Sequence, residues 1–369
     1  MLKSIDYKSG GKAVFPEAGP AAPRGNLTGP DCEVSSGFIM IDRFHRDINY
    51  LRISVTDRCN LRCRYCMPKE GVSLTGHEDI LTYEEILRVV RLAVGMGIAK
   101  VRVTGGEPLV RLGIVDFIKE LKRIDGLQDI SITTNGILLE PFAEPLYRAG
   151  LKRINVSLDS LDPEKYKYIT RGGDLARVLR GIEKAEAVGF DPIKINVVAI
   201  RHFNEDEVVR FSDMTVDKPY HVRFIELMNI GNGGEKNSLA YLSNDTVLEE
   251  IRRVHALVPL NGKRASTDGP ARCFRVSGGK GELGFISATS HQFCDSCNRL
   301  RLTAEGHLRA CLLSDREIDL KDALRGECDD EDIRTLLQRA VLEKPRGSFE
   351  PACPRNRKKC ERHMSSIGG

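Results

Sequence analysis

The sequence predicts an α/β protein: an incomplete parallel barrel of six strand and helix units, followed by a smaller C-terminal domain. Short apolar runs alternate with longer helix-like segments from residue 51 onward, one face of each run is polar, and this rhythm ends near residue 229. Alternating β and α units favour a parallel sheet with crossover helices. Six units are fewer than the eight of a closed barrel, so the predicted barrel is incomplete.

The elements follow in chain order. Residues 1–38 are rich in Gly, Pro, Ala and Lys with little periodicity, which predicts a disordered extension. The barrel is predicted over residues 39–228, the C-terminal domain over 229–342, and a basic linker with a diglycine tail over 343–369. The predicted strands are 51–55, 100–104, 130–134, 153–158, 193–199 and 220–226. The predicted helices are about 83–96, 112–124, 141–149, 175–189 and 205–215.

One face of each predicted strand is polar, although parallel strands between helices are normally apolar on both faces. The polar positions are Arg52, Ser54, Lys100, Arg102, Thr104, Ser131, Thr133, Asn135, Asn155, Ser157, Asp159, Lys194, Asn196, His221 and Arg223. Side chains alternate across a strand, so these residues share one surface, which a curled sheet turns inward. Arginines and lysines are the main charged residues of this set, and only Asp159 carries a negative charge. This predicts a cavity for a large anionic ligand.

Composition excludes several classes of protein. Lys and Arg total 56 against 52 Asp and Glu, so the net charge of +4 gives no argument for binding nucleic acid. Many of the 11 cysteines fall in two tight groups, which favours a reducing compartment over a disulfide framework. No apolar run approaches the roughly 18 residues of a membrane span, and no hydrophobic signal core begins the chain. We therefore expect a cytoplasmic protein without a membrane segment.

Three cysteines follow the first predicted strand directly. Cys59, Cys63 and Cys66 have the spacing C-x3-C-x2-C, which suits a metal centre of soft sulfur ligands such as zinc, copper(I) or an iron–sulfur cluster. A structural zinc site and a cluster held only by protein both use four ligands. Three cysteines leave one metal position open for another ligand. A zinc knuckle completed by a distant residue is the alternative.

A second group of three cysteines lies in the predicted C-terminal domain. Cys294, Cys297 and Cys311 have the spacing C-x2-C-x13-C, and again no fourth cysteine is close in sequence. His291 and His307 are nearby, so a Cys3His zinc site is the alternative here.

The loop after the second predicted strand contains Gly105, Gly106 and Glu107. Two glycines let the backbone approach a ligand closely, and a carboxylate can accept hydrogen bonds from an ammonium group. The polar ends of the third and fourth strands reach the same sheet edge, where ligands of α/β folds bind. The sequence contains no G-x4-G-K-[ST] loop, so a bound triphosphate would need several Arg and Lys side chains.

The first cysteine motif, with Tyr65 before its third cysteine, and the glycine loop resemble the radical S-adenosylmethionine (SAM) enzymes. With the second cysteine group, the basic lumen and the terminal Gly368-Gly369, the chain is similar to the GTP 3′,8-cyclase family of molybdenum cofactor biosynthesis (molybdenum cofactor biosynthesis protein A). The resemblance covers residues 40–342 and the last six residues. The segment 343–362 departs from that family, in which a shorter linker is expected, and its charged run is predicted to be solvated.

The resemblance implies two 4Fe–4S clusters, SAM and GTP. It assigns one cluster to Cys59, Cys63 and Cys66, and the other to Cys294, Cys297 and Cys311. It assigns SAM contacts to Tyr65, Gly106, Glu107, Ser157 and Met228. It assigns GTP contacts to Arg52, Arg102, Thr133, Lys194, Arg223, Arg299 and Arg301. It assigns catalytic roles to Arg52, Arg299, Arg301, Gly368 and Gly369.

The resemblance also implies a lyase that converts GTP to (8S)-3′,8-cyclo-7,8-dihydroguanosine 5′-triphosphate, the first step of molybdenum cofactor (molybdopterin) biosynthesis. A 5′-deoxyadenosyl radical would remove the 3′ hydrogen of the ribose before the sugar carbon bonds to C8 of guanine. The implied partners are a reducing electron donor, a companion cyclic pyranopterin monophosphate synthase and a second copy of the chain in a homodimer.

Two other functions stay open on the sequence alone. A radical SAM enzyme that modifies a peptide would share the first motif and a second cluster. A zinc protein without enzymatic activity would use its basic tail to bind nucleic acid. Cys353 and Cys360 are predicted to be free thiols, and metal binding by them is the alternative.

Overall fold

The predicted strands form one sheet in a computed structural model of the chain. The structure describes residues 40–228, 230, 240–260, 269–347, 360 and 362–368. The predicted extension 1–38, most of residues 229–239, Cys353 and Gly369 lie outside the described residues.

The first half of the chain alternates strands and helices as predicted. The strands are β1 Tyr50–Ser54, β2 Lys100–Thr104, β3 Asp129–Thr134, β4 Arg153–Ser157, β5 Ile193–Ala199 and β6 His221–Glu226. The helices are α1 Tyr83–Gly95, α2 Ile114–Lys122, α3 Leu139–Arg148, α4 Pro163–Thr170, α5 Leu175–Val188 and α6 Val208–Asp217. The predicted strands and helices are confirmed, with small shifts at their ends.

Helix α4 was not predicted, because it is short and weakly amphipathic. Its sequence signal is local: Asp162 accepts hydrogen bonds from the backbone N–H groups of Glu164 and Lys165, and Pro163 occupies the first helical position. An aspartate cap followed by proline is typical of a helix start. A search for caps would have found this helix where a search for periodicity did not.

The C-terminal part extends the same sheet. Its strands are β7 Leu257–Pro259, β8 Arg272–Val276, β9 Glu282–Ile286, β10 Arg299–Leu302, β11 His307–Arg309 and β12 Ile318–Asp319. Its helices are α7 Asn244–Arg252, α8 Lys321–Arg325, α9 Asp330–Leu342 and α10 Met364–Ile367. Within the described residues the strand order is β12-β11-β10-β1-β2-β3-β4-β5-β6-β9-β8-β7. Strand β10 pairs in parallel with β1, and β9 pairs in parallel with β6.

This topology covers both edges of the six-stranded barrel sheet with strands from the C-terminal part. An uncovered edge would present unpaired backbone groups. The outermost pairs, β7 with β8 and β11 with β12, are antiparallel, so the whole sheet is mixed. The sheet is therefore continuous across the predicted boundary at residues 228 and 229.

The hydrophobic core lies between the sheet and its helices. Ile53, Val103 and Ile132 are fully buried and alternate along their strands with polar residues of the opposite face. The same alternation continues through β4 and β5. In the described ranges, no helix combines the length and the apolar character that crossing a membrane requires.

Helix α2 offers a direct test of this core. Leu121 on α2 is fully buried, whereas Leu112, just before the helix, is 93% exposed. We predict that Leu121→Ala lowers the free energy of unfolding by about 2–5 kcal/mol, because it removes buried methyl groups and leaves a cavity. Leu112→Ala is the matched control and should change it by less than about 0.5 kcal/mol. Urea unfolding of the metal-free chain, followed by circular dichroism, measures the free energy of unfolding of both variants. Equal losses of this free energy would contradict the placement of Leu121 in the core.

Candidate active site

A cavity of about 360 Å³ lies on the inner face of the sheet. Its lining includes residues from each of the strands β1 to β6 and from β10. The predicted site residues in the lining are Arg52, Cys59, Cys63, Tyr65, Cys66, Arg102, Gly106, Thr133, Ser157, Lys194, Arg223, Met228, Cys294, Cys297, Arg299, Arg301 and Cys311. Strands this far apart in the sheet order can share one cavity only if the sheet curves around it. The sheet therefore curves around a cavity, and most of the alternating polar positions line it, whereas Ser54, Ser131, Asn155 and His221 do not.

Two predicted site residues that the structure describes are not part of this lining. Glu107 is fully buried behind the glycine loop, and Gly368 is buried beside the cavity wall. Gly369 lies outside the described residues.

The first cysteine group lies on the loop that follows β1. The N–H of Cys66 donates to the carbonyl of Cys63 at 2.9 Å, which forms a tight turn. Helix α4 holds this loop from outside: the N–H of Arg64 donates to the carbonyl of Ile169, and Arg171 donates to the carbonyl of Met67 at 2.8 Å. The helix missed by the sequence analysis thus fixes the position of the cysteines.

Burial dominates the chemistry of these thiols. It raises the pKa of Cys59 to about 11 and, together with the neighbouring Cys66, raises the pKa of Cys63 well above its usual value. A thiol nucleophile would instead need a nearby cation to lower its pKa. Three half-buried thiols lining one cavity suit a metal centre, since a metal deprotonates its coordinating thiols.

The second cysteine group has a different electrostatic environment. Cys294 and Cys297 are joined by a turn in which the N–H of Cys297 donates to the carbonyl of Cys294 at 3.1 Å. Burial would raise the pKa of Cys297, but the positive charges of Lys344 and Arg299 lower it to about 7. This thiol can therefore ionise near neutral pH without a metal.

The histidines considered as zinc ligands point elsewhere. His291 Nε2 lies 2.7 Å from a carboxylate oxygen of Asp245, and His307 faces Asp319 at 4.0 Å. Neither histidine lines the cavity. Over the described parts of the chain, no three His, Cys, Asp or Glu side chains are close enough to share one metal ion. A 4Fe–4S cluster takes its thiolates at different iron atoms, so its ligands need not converge on one point.

The glycine loop packs directly against the first cysteine loop. The N–H of Gly106 donates to the carbonyl of Thr56 at 2.7 Å, and a side chain at Gly106 would lie 2.4 Å from the carbonyl oxygen of Arg58. Only glycine fits at that distance. The loop backbone therefore faces the cavity beside the cysteines.

Glu107 connects the loops after β2 and β3. Its carboxylate accepts hydrogen bonds from the Thr134 hydroxyl and the Asn135 N–H, both at 2.7 Å, and from the Leu109 N–H at 3.0 Å. Burial outweighs these bonds and raises its pKa to about 7. The structure thus places this side chain in a supporting position rather than in the lining.

The wall between the cysteine groups is strongly basic. Burial, and then repulsion from Arg223, lowers the pKa of Lys194 to about 6. Burial, followed by repulsion from other arginines, lowers the pKa of Arg223 and of Arg301 to about 10. Cations that depress one another's pKa values lack nearby negative charge. This excess of positive charge is typical of a site that binds an anion.

Two further basic residues line the cavity. Lys100 was among the alternating polar positions but was not assigned a role, and Arg153 was missed. Asp129 holds both, with distances of 2.9 Å to the Lys100 ammonium and 2.7 Å to the Arg153 guanidinium. Arg153 has the same parity as Asn155 on β4. Extending the alternation by one step would have found it.

Polar atoms in the cavity are also left for a ligand. The Thr133 hydroxyl and the Asn196 side-chain carbonyl oxygen are buried, and neither has a hydrogen-bond partner in the described part of the chain. Both residues line the cavity. Buried polar atoms are normally paired, so a polar ligand would satisfy them.

The end of the chain reaches this wall. The Gly368 carbonyl accepts a hydrogen bond from Arg301 at 2.6 Å. A side chain on Gly368 would lie 2.4 Å from the Thr104 hydroxyl, and its φ of +69° also favours glycine. Arg362 anchors the tail through Glu305 at 2.6 Å and Glu317 at 3.0 Å. The penultimate glycine is therefore tightly enclosed.

Comparison with known proteins agrees with this geometry. Residues 53–215 match the model of the Radical SAM superfamily, and residues 220–349 match that of Molybdenum Cofactor Synthesis C. The chain is 49% identical over 330 residues to the GTP 3′,8-cyclase of Alkaliphilus oremlandii, which covers 89% of this chain and 100% of that protein. It is 48% identical over 332 residues to the GTP 3′,8-cyclase of Thermodesulfovibrio yellowstonii, with the same coverage of both chains.

A solved structure of Streptococcus suis SuiB bound to precursor peptide SuiA has a TM-score of 0.55 at 15% identity, covering 87% of this chain and 76% of that chain. This likeness shows the radical SAM fold alone. The identity to the two cyclases over nine-tenths of the chain shows the family. The chain therefore belongs to the GTP 3′,8-cyclase family of the radical SAM superfamily.

Proposed function

We propose that the chain converts GTP to (8S)-3′,8-cyclo-7,8-dihydroguanosine 5′-triphosphate, the first step of molybdenum cofactor biosynthesis. The observation that carries the proposal is that two three-cysteine groups line one cavity whose wall is basic. A substrate with a purine at one end and a triphosphate at the other fits such a cavity. A peptide would not need this density of buried cations.

The first cysteine group would hold a 4Fe–4S cluster. Its donor set of three half-buried thiols leaves one iron open, where SAM would bind. The backbone of Gly106 and Tyr65, with the side chains of Ser157 and Met228, lines the adjacent wall and would contact SAM. Glu107 would act from behind by holding the loops of β2 and β3 together. When bound, the cluster and SAM together supply a 5′-deoxyadenosyl radical that abstracts a hydrogen atom.

The second cysteine group would hold another 4Fe–4S cluster, close to the purine of GTP. The thiol of Cys297 is poised to ionise, and Arg299 and Arg301 lie on β10 between this group and the barrel lumen. These two arginines would orient the substrate against the cluster. Arg301 also holds the Gly368 carbonyl, so it links the tail to the substrate site.

The triphosphate would bind along the basic wall. Arg52, Arg102 and Arg223 supply forks for charge-assisted hydrogen bonds to phosphate, and Lys194 supplies a compact charge. Thr133 has a buried hydroxyl available for the same ligand. The chain's own task is then to place the ribose next to the first centre and to exclude water, since reacting atoms must lie about 3–3.5 Å apart.

The proposal extends to the setting of the reaction. The enzyme would work in the cytoplasm with a reducing electron donor, would pass its product to a cyclic pyranopterin monophosphate synthase, and would form a homodimer. The barrel over 39–228 would carry SAM, and the part over 229–342 would carry the second cluster.

Reconstitution tests the proposal as a whole. After anaerobic loading with iron and sulfide, we predict about eight iron atoms per chain, the content of two 4Fe–4S clusters. Under dithionite, 5′-deoxyadenosine should form with GTP and not with ATP or without nucleotide, because only GTP completes the site. Iron analysis and chromatography of the products measure this. A content of about four iron atoms per chain, with SAM cleavage that does not depend on the nucleotide, would contradict both GTP as substrate and the second cluster.

The proton balance of nucleotide binding tests the basic wall. Free Lys194, with its pKa of about 6, is mostly neutral at pH 8. A bound triphosphate favours the charged form and raises that pKa, so binding should take up a proton and affinity should fall as pH rises above 6. We predict that Lys194→Arg takes up about one proton less, because guanidinium stays charged in both states. Calorimetry of GTP binding without SAM, in two buffers of different ionisation enthalpy, measures this.

The prediction would be contradicted if the wild type and Lys194→Arg took up equal numbers of protons on binding GTP at pH 8. Lys194 would then be either already charged in the free protein or away from the triphosphate.

Removal of the tail tests its place in the site. We predict that deletion of Gly368 and Gly369 abolishes cyclisation, because Arg301 loses the carbonyl that it binds beside the substrate. The iron content should not change, since neither glycine holds a cluster. Product formation and iron are measured on the same preparation. Full turnover by the shortened chain would contradict a role for the tail.

A further inference from the structure

Lys344 lies just after helix α9, where the sequence analysis predicted a solvated charged linker. The structure corrects that prediction for this residue, because only 3% of its surface is exposed. Its ammonium donates to the carbonyl of Arg299 at 2.7 Å and to the carbonyl of Ala310 at 2.6 Å. Arg299 comes two residues after Cys297, and Ala310 directly precedes Cys311. The ammonium therefore joins the two segments that carry these cysteines.

The charge balance of Lys344 is unusual. In the ranges that the structure describes, no Asp or Glu lies within ion-pair distance of this ammonium. Burial lowers the pKa of Lys344, the thiols of Cys297 and Cys311 favour its charged form, and the cations of Arg46 and Arg299 oppose it. A buried ammonium without a counter-charge is costly. A negatively charged centre at the cysteines would supply the counter-charge.

Arg46 supports the same cysteine group but differs in charge balance. Its guanidinium donates to the carbonyl of Cys294 at 2.7 Å and to the carbonyls of Pro345 and Arg346. Asp42 pairs with it at 2.6 Å, and both side chains are buried. Arg46 thus holds the loop of Cys294 as part of a neutral pair. The two residues have similar structural roles, and only Lys344 adds net charge.

We propose that Lys344 is a positioning residue whose uncompensated positive charge raises the reduction potential of the cluster held by Cys294, Cys297 and Cys311. The inference rests on the proposed function, since it requires a cluster at this group. A cluster gains negative charge on reduction, so a fixed cation nearby favours the reduced form. Net charge and hydrogen bonds near the sulfurs are among the factors that set such potentials.

The test compares Lys344→Gln with the double variant Asp42→Asn and Arg46→Gln in the fully loaded enzyme, without SAM or GTP. Glutamine at 344 keeps a hydrogen-bond donor and removes the charge. Potentiometric titration followed by electron paramagnetic resonance gives the midpoint potential of each cluster, and variants lacking Cys63 or Cys297 assign the signals. For Lys344→Gln we expect the C-terminal cluster to become about tenfold harder to reduce, a fall of about 59 mV for one electron. The potential of the other cluster should not move.

The double variant Asp42→Asn with Arg46→Gln is the matched control. It removes hydrogen bonds from the same cysteine loop but removes one positive and one negative charge together, so we expect no comparable fall in potential. If Lys344→Gln fails to retain the second cluster, Lys344→Arg should retain it at the wild-type potential, which would support the need for charge.

The outcomes separate the two hypotheses. About eight irons with an unshifted potential in Lys344→Gln would overturn the inference and leave the proposed function standing. Loss of the cluster in both Lys344→Gln and Lys344→Arg would mean that Lys344 acts through packing alone, and would also overturn it. A wild-type enzyme with a single cluster would overturn the proposed second cluster and this inference with it.

Discussion

The site depends on the parallel pairing of β1 with β10. Tyr50 lies opposite Arg299 and Arg52 lies opposite Arg301, although about 250 residues separate the partners in each pair. The first cysteine loop begins after β1, Cys294 and Cys297 come just before β10, and Cys311 follows β11. One short ladder of backbone hydrogen bonds therefore brings both cysteine groups and four basic or aromatic side chains to one cavity.

The second constraint is charge. The chain as a whole is nearly balanced in charge, with 56 basic and 52 acidic residues. The cavity wall, in contrast, contains many arginines and lysines and few carboxylates. Asp129 is the acidic residue that pairs with Lys100 and Arg153, and it does so from outside the lining. Such a wall is unstable by itself, because buried like charges repel one another and desolvation adds to the cost. Favourable interactions in the rest of the fold therefore offset the cost of this basic wall, and a bound anionic ligand would reduce that cost.

Residues outside the lining hold the reactive positions in place. Helix α4 supports the first cysteine loop, Glu107 joins the loops of β2 and β3, and Lys344 and Arg46 support the second group. Most of these contacts are to backbone atoms near the site, and Glu107 also binds the side-chain hydroxyl of Thr134. A displacement of about 1 Å can cost an enzyme two orders of magnitude in rate, so such support bears directly on function.

The sequence by itself determined the parts that depend on local pattern. Strand and helix positions follow from periodicity, the polar lumen follows from alternation, and the cysteine spacings indicate two metal centres. Tertiary structure alone decided what depends on contacts between distant segments. The sheet continues into the C-terminal part because β9 and β10 pair with β6 and β1, Glu107 turns away from the cavity, and Lys344 is buried rather than solvated. The local sequence does not specify these contact partners, because burial and strand pairing are properties of the whole fold.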